Sequence, residues 1–145
     1  MKFTYYGHSC FAVNIEGKDL LFDPFITHNE LAKNIDVNGI AADYIFLSHG
    51  HEDHVADCIS IATRTGAKVV AVWEICSWLG SKGITNTHPM NTGGKKNFDF
   101  GTVKCIVAQH SSSQMAIARD EFERAASTST PTPPLEVVGS EAEKT

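Results

Sequence analysis

The chain has 145 residues, 42% of them hydrophobic, which is enough for one domain with a buried core and too few for two. Its formal net charge of −5 is evenly scattered, so the composition does not indicate a nucleic-acid-binding surface. No stretch is apolar for long enough to span a membrane, and the first residues lack the pattern of a secretory signal. The four cysteines are far apart and lie among apolar neighbours, which is typical of buried thiols in a reducing compartment. We therefore expect a cytoplasmic protein.

The N-terminal pattern predicts an antiparallel meander of strands at residues 2–6, 11–15 and 20–22. Residues 23–43 are rich in loop-forming residues. The apolar run at residues 44–47 then predicts a strand that is buried on both faces.

Helices and strands alternate after this point. Apolar residues at helical spacing predict a helix over residues 55–65, ended by Gly66. The next predicted elements are a strand at 68–72, a helix at 74–82 and a hairpin of strands 97–100 and 102–108 that turns at Gly101. An initial meander followed by alternating helices and strands predicts an α/β layered domain.

The composition changes at about residue 116. Residues 125–134 contain only Ala, Ser, Thr and Pro, and such a stretch cannot bury enough surface to offset its ordering entropy. We expect a folded region over residues 1–115 and a separate tail over residues 116–145, of which 125–145 is disordered.

Three histidines and an aspartate follow the predicted strand at 44–47. His49, His51, Asp53 and His54 fall within one short turn, and all four side chains are good ligands for a borderline divalent metal. A helical zinc motif spaces its histidines four apart, whereas the spacing here indicates a loop that wraps a metal. The alternative is a polar turn whose histidines cap the next helix. We disfavour it because one N-cap residue is enough to start a helix.

His110 follows the predicted strand at 102–108, just as His49 follows the one at 44–47. Strand ends at the same edge of a sheet converge, so these two histidines could share a metal. By itself His110 would be a surface histidine at a strand end. With the cluster we favour ligation, because an open tetrahedral site needs a third protein ligand.

The His-x-His-x-Asp-His pattern resembles the motif of the metallo-β-lactamase superfamily. Other segments resemble a small bacterial branch of uncharacterised metal-dependent hydrolases, namely 6–11 (YGHSCF), 21–25 (LFDPF), 88–91 (HPMN) and 110–113 (HSSS). The resemblance covers about residues 1–115. It implies the N-terminal half of an αβ/βα sandwich, with a mixed sheet and helices on one face.

For a first metal, the resemblance implies the ligands His49, His51 and His110. It also implies that Asp53 and His54 begin a second site, which the family completes with a later aspartate and a final histidine. No histidine follows His110, and Asp120, the last aspartate, lies in an amphipathic stretch. We therefore expect one zinc ion per chain, with manganese or iron as alternatives, and an incomplete second site.

Three further positions have two interpretations each. Asp53 could support the site from outside the ligand set or accept a proton from the attacking water. Asp23 could orient a ligand histidine through its free ring nitrogen, or it could form a simple Asp-Pro turn. His8 could line the mouth of the site, or it could be an ordinary turn residue. Residues 88–89 predict a loop.

The resemblance predicts a metal-dependent hydrolase in which zinc-bound hydroxide attacks a small-molecule substrate of the ester, amide or phosphoester type. The di-iron reductases of the superfamily generally replace the second motif histidine with a carboxylate, so His51 argues against them. The alternative is a truncated or frameshifted fragment, altered after Gln114, that binds at most one metal and has no activity.

The assembly prediction follows from the apolar strands at 44–47 and 68–72. Such strands need cover on both faces of their sheet, and the predicted helices cover one face only. An exposed apolar sheet face favours association, so we expect a homo-oligomer or a poorly soluble chain.

Overall fold

The computed structural model describes residues 1–108 and 110, and this part is built around a mixed sheet of six strands. The strands lie in the sheet in the same order as in the sequence. They are β1 (Lys2–Gly7), β2 (Cys10–Ile15), β3 (Lys18–Phe22), β4 (Tyr44–Phe46), β5 (Lys68–Ala71) and β6 (Thr87–Pro89). The first three form an antiparallel meander, and β3 to β6 run parallel to one another.

Helices and a hairpin complete the described part. They are α1 (Glu52–Val55), α2 (Cys58–Thr65), α3 (Trp73–Ser81) and the hairpin of β7 (Lys95–Phe98) with β8 (Gly101–Lys104). Short 3-10 turns at Glu30–Ala32 and Val37–Gly39 lie between β3 and β4. Among these elements, no helix is both long and apolar enough to cross a lipid bilayer.

One face of the parallel strands is covered by helices. Leu21, Ile45 and Val69 occupy paired positions on β3, β4 and β5, and each is fully buried. They share one apolar cluster with Ile61 of α2 and Leu79 of α3. The predicted α/β class, a mixed sheet with helices on one face, is therefore confirmed.

The opposite face is covered by the β7–β8 hairpin. Leu20, Phe46 and Val70 form a second apolar cluster with Phe98 and Phe100 of that hairpin. The assembly prediction assumed that nothing in this part of the chain could cover these strands, and that assumption is wrong. The homo-oligomer itself stays a prediction.

An aromatic row crosses the same face toward β1. Ring centroids lie 5.4 Å apart for Phe3 and Phe11, 4.5 Å for Phe11 and Phe22, and 5.0 Å for Phe22 and Phe46. The outer end is open, because Phe3 is 61% exposed. Within the described residues, the exposed apolar part of this face therefore lies at β1 and not at the central strands.

The meander, the two central strands and the end of α2 are where the sequence predicts them. Gly66 ends α2 with a φ of 71°, a left-handed conformation that glycine adopts without steric cost. The predicted helix over 55–65 is wrong at its start, because the chain forms two helices that are broken around Asp57. The Asp57 backbone N–H donates to the Pro24 carbonyl at 3.1 Å instead of continuing α1.

Two other predictions need correction. Residues 88–89 belong to strand β6 rather than to a loop, and His88 pairs with Val70 of β5. The hairpin turns at residues 99–100, and β8 ends at Lys104 instead of continuing to residue 108. The predicted tail over 116–145, including disorder over 125–145, lies outside the described residues.

Leu21→Ala should lower the free energy of unfolding by about 2–5 kcal/mol, because it removes a fully buried side chain from the helix-covered core. The matched control is Leu31→Ala, since Leu31 is 74% exposed and should contribute less than about 0.5 kcal/mol. Urea titration of the three proteins measures both values. Equal losses for the two variants would contradict the assigned core.

The buried thiols predict a loss of stability at alkaline pH. Burial raises the pKa of the Cys58 thiol from 9.0 to about 12. Because the folded pKa lies above the unfolded one, this stabilisation is complete below about pH 9 and is lost as pH rises toward 12. Residue 58 cannot ionise in Cys58→Ala, so the free energy of unfolding of this variant should fall less steeply with pH. The slopes of the two proteins should differ by up to about 1.4 kcal/mol per pH unit. Identical slopes between about pH 9 and 11 in urea titrations would contradict this.

Candidate metal centre

The candidate site lies at the carboxyl ends of the parallel strands, where open α/β sheets usually bind ligands. After β4 the chain crosses this edge as a loop that carries His49 and His51, and α1 follows at once with Asp53 and His54. His51 occupies the N-cap position of α1, yet its side chain makes no capping hydrogen bond. The interpretation of the cluster as helix caps therefore finds no support in the geometry.

The structure brings His49, His51 and His110 together. One ligand atom from each lies within 4.8 Å of the other two. Nε2 of His49 is 2.8 Å from Nδ1 of His51, and the His110 ring centroid is 4.8 Å from that of His49. The sequence predicts that His110 directly follows a strand of the same sheet as β4. Instead, β8 ends at Lys104 and is not part of the six-stranded sheet.

Asp23 fixes the orientation of His54. It is 7% exposed and sits after β3 with a φ of 42°, where its backbone N–H donates to the Phe46 carbonyl of β4 at 3.0 Å. Nδ1 of His54 lies 2.9 Å from Oδ2 of Asp23. A carboxylate can only accept, so a neutral His54 carries its proton on Nδ1 and leaves the lone pair of Nε2 available to a metal.

Ser48 extends this arrangement to His49. The Ser48 hydroxyl donates to Oδ2 of Asp23 at 2.6 Å and lies 2.9 Å from Nδ1 of His49. Its one proton is used on Asp23, so it must accept from His49, which places the free lone pair of His49 on Nε2. Burial lowers the pKa of His49, and the neighbouring His54 and His51 lower it further. His49 is therefore neutral at pH 7, the form that binds metals.

Asp57 holds the loop that follows Asp23. Its carboxylate, 5% exposed, accepts from the backbone N–H groups of Ile26 at 2.6 Å and Thr27 at 2.9 Å, and from the Thr27 hydroxyl. Sequence reasoning missed both Asp57 and Ser48. Each depends on contacts 25 residues or more away along the chain, and no local pattern marks such contacts.

A second group of ligand-type side chains lies beside the first. His8, Asp53 and His54 each place a ligand atom within 4.8 Å of the other two. Nε2 of His8 is 3.4 Å from Oδ2 of Asp53, and the ring centroids of His8 and His54 are 5.1 Å apart. The His54 and His49 centroids are 4.0 Å apart, so the two groups are adjacent.

A cleft of about 400 Å³ opens next to the first group, a size that suits a small molecule. It is lined by three apolar residues, two hydroxyl-bearing residues and two histidines, namely Val72, Ile106, Ala108, Ser48, Thr92, His49 and His110. The cleft thus offers apolar contact area directly beside two of the candidate ligands.

The donor chemistry fits a borderline divalent metal. The first group offers three imidazole nitrogens. The tautomers of His49 and of the neighbouring His54 are set through Ser48 and Asp23, so Nε2 is the nitrogen without a proton on each ring. Three protein ligands would leave one coordination position for water or substrate.

Comparison with known proteins supports the family suggested by the motif. Residues 2–121 match the family model of the beta-lactamase superfamily domain. A UPF0173 metal-dependent hydrolase of Shouchella clausii is 50% identical over 113 residues, which are 78% of this chain and 49% of that protein. One from Flavobacterium johnsoniae is 51% identical over 113 residues, covering 78% and 50%.

A solved structure is also similar. It is Igni18, a novel metallo hydrolase from the hyperthermophilic archaeon Ignicoccus hospitalis, with a TM-score of 0.69 and 34% identity over 77% of this chain and 50% of that one. The chain thus spans about half the length of the curated relatives it matches.

Asp57→Asn should lower the free energy of unfolding by about 1–3 kcal/mol, because the amide lacks the charge that strengthens the hydrogen bonds from the Ile26 and Thr27 N–H groups, and its NH₂ group replaces the oxygen that accepts from the Thr27 hydroxyl. Asp99→Asn is the control, because the hydrogen bond of Asp99 from Tyr44 and its ion pair with Lys18 are exposed and should contribute little to stability. Denaturant titrations compare the two. An Asp57→Asn protein as stable as the control would contradict the role assigned to this carboxylate.

Proposed function

The chain belongs to the beta-lactamase superfamily, and on that premise we propose that it is the metal-binding half of a metal-dependent hydrolase. The observation that carries the proposal is the convergence of His49, His51 and His110 at the carboxyl edge of the parallel strands. The relatives named as metal-dependent hydrolases support the reaction class.

The first ligand set favours zinc, because three neutral imidazoles with an open fourth position are typical of catalytic zinc sites. His49, His51 and His110 would hold the ion, which would lower the pKa of a bound water to about 7 and so supply a nucleophile at neutral pH. The chain's own residues keep His49 neutral and oriented, through burial and through the Ser48 hydroxyl. Asp23 keeps Ser48 in place.

The cleft supports a small substrate with an apolar group. Val72, Ile106 and Ala108 provide apolar contacts, and Ser48 and Thr92 provide hydroxyl groups. No lysine or arginine lines this cleft among the described residues. The described part of the lining therefore favours a substrate with an apolar group beside the scissile bond.

The alternative is a half-domain that binds metal and does not turn over substrate. The partial coverage of its relatives supports this alternative, because the match spans only 49–50% of the length of the two hydrolases named above. Metal binding and turnover must therefore be measured separately.

Protein purified without added metal should contain zinc, and His49→Ala should lose most of it, because the variant removes one of three ligands. His28→Ala is the matched control, since His28 is an exposed histidine outside both ligand groups. Plasma mass spectrometry gives the metal content. Full metal content in the His49→Ala protein would overturn the ligand assignment.

Turnover is tested with p-nitrophenyl acetate before and after dialysis against a chelator. Hydrolysis that stops on chelation and returns with zinc supports the hydrolase, whereas hydrolysis that survives chelation contradicts it. Retained metal without hydrolysis of esters or amides would favour the inactive half-domain.

A further inference from the structure

Strand β1 forms a free edge of the six-stranded sheet. Among the described residues only β2 pairs with it, so the backbone N–H and C=O groups along its outer side face no other strand. Such an edge is a template for the addition of a further strand. The opposite edge is less suited to this, because β6 has three residues and ends in Pro89, which has no backbone N–H to donate.

The middle of β1 lacks the features that usually protect an edge strand, which are charged side chains, prolines and bulges. Its one charged residue is Lys2, at the start of the strand, and its irregular pairing is confined to the end, between Tyr5 and Gly7. Leu31 lies against Gly7 and covers that end. The open part of the edge is therefore residues 2–6.

The side chains of β1 alternate between the two faces of the sheet. Phe3 and Tyr5 lie on the face of the aromatic row and are 61% and 60% exposed. The Phe3 ring is 5.4 Å from Phe11, and Tyr5 is paired with Phe11 on β2. Thr4 and Tyr6 point to the helix-covered face, where Tyr6 packs against the core. A strand added beside β1 must therefore present apolar side chains on the face of the aromatic row.

A second copy of β1 meets this requirement. Two identical strands related by a two-fold axis pair antiparallel, with the same face of each sheet on the same side. Centred on Thr4, this pairing matches all of residues 2–6 and sets Phe3 opposite Tyr5. It also sets Lys2 opposite Tyr6, so no two lysines face each other. Aromatic cross-strand pairs stabilise a sheet, whereas like charges directly opposite destabilise it.

We propose that β1 is a homodimer interface, through which two copies of this chain join edge to edge into one continuous sheet. The aromatic row that ends at Phe3 then continues into the second copy. Because β1 runs parallel to β3, the two metal centres lie at opposite edges of the joined sheet, so the dimer does not depend on metal binding. An interface of one strand per copy is small, and its dissociation constant should be on the order of micromolar or weaker.

Sedimentation velocity over a series of protein concentrations tests the proposal. The wild-type chain should change from monomer to dimer as the concentration rises. Phe3→Lys should raise the dissociation constant by roughly tenfold or more, because it removes two aromatic pairs per dimer and places a charge on the edge. Trp73→Lys is the matched control, since Trp73 is 64% exposed on α3, away from β1, and this variant should dimerise like the wild type.

Disulfide trapping tests the register. In antiparallel pairs the opposed Cα atoms are about 4.5–5.5 Å apart, a separation that a disulfide can span. Thr4→Cys treated with oxidised glutathione should therefore form a covalent dimer, seen on a non-reducing gel. Thr102→Cys on the exposed side of the hairpin is the control and should not.

Three results would overturn the proposal. They are a wild-type chain that stays monomeric at the highest concentration reached, a Phe3→Lys protein that dimerises like the wild type, and a covalent dimer that forms no faster in Thr4→Cys than in Thr102→Cys. Circular dichroism shows whether each variant folds. If Phe3→Lys does not fold, the wild-type concentration series and the Thr4→Cys trap still decide the question.

Discussion

The carboxylate of Asp23 is the contact on which the candidate centre depends. It joins the end of β3 to Ser48, two residues after β4, through the Ser48 backbone N–H at 2.7 Å, and it holds His54 at 2.9 Å. Through the Ser48 hydroxyl it also sets the tautomer of His49. One buried carboxylate therefore orients one ring in each ligand group, and a change there would disturb both.

The loop around Asp23 needs its own support, because its backbone is in the left-handed region at a φ of 42°. Asp57 supplies that support by accepting three hydrogen bonds from Ile26 and Thr27 while its N–H donates to Pro24. This use of Asp57 also explains why the predicted single helix is broken. The Asp57 backbone and side chain bond to the loop that follows β3, so α1 and α2 do not join into one continuous helix.

Features that depend on residues close together in the sequence could be predicted, and features that depend on distant residues could not. The central strands and the end of α2 at Gly66 are visible in local patterns. The cluster at residues 49–54 is visible because its spacing is local. The short strand β6 and the limits of the hairpin depend on pairing partners elsewhere, and the proximity of His8 to Asp53 depends on a turn that lies 45 positions earlier in the chain.

Charge connects the two ligand groups. Five of the seven histidines belong to them, so positive charge on several of these imidazoles at once would be repulsive. The lowered pKa of His49, caused first by burial and then by His54 and His51, is one result. Asp23 and Asp53 contribute negative charge beside rings that are best kept neutral. A divalent cation bound to neutral imidazoles would offset the negative charge of these carboxylates. Metal binding should therefore raise the stability of this edge of the sheet.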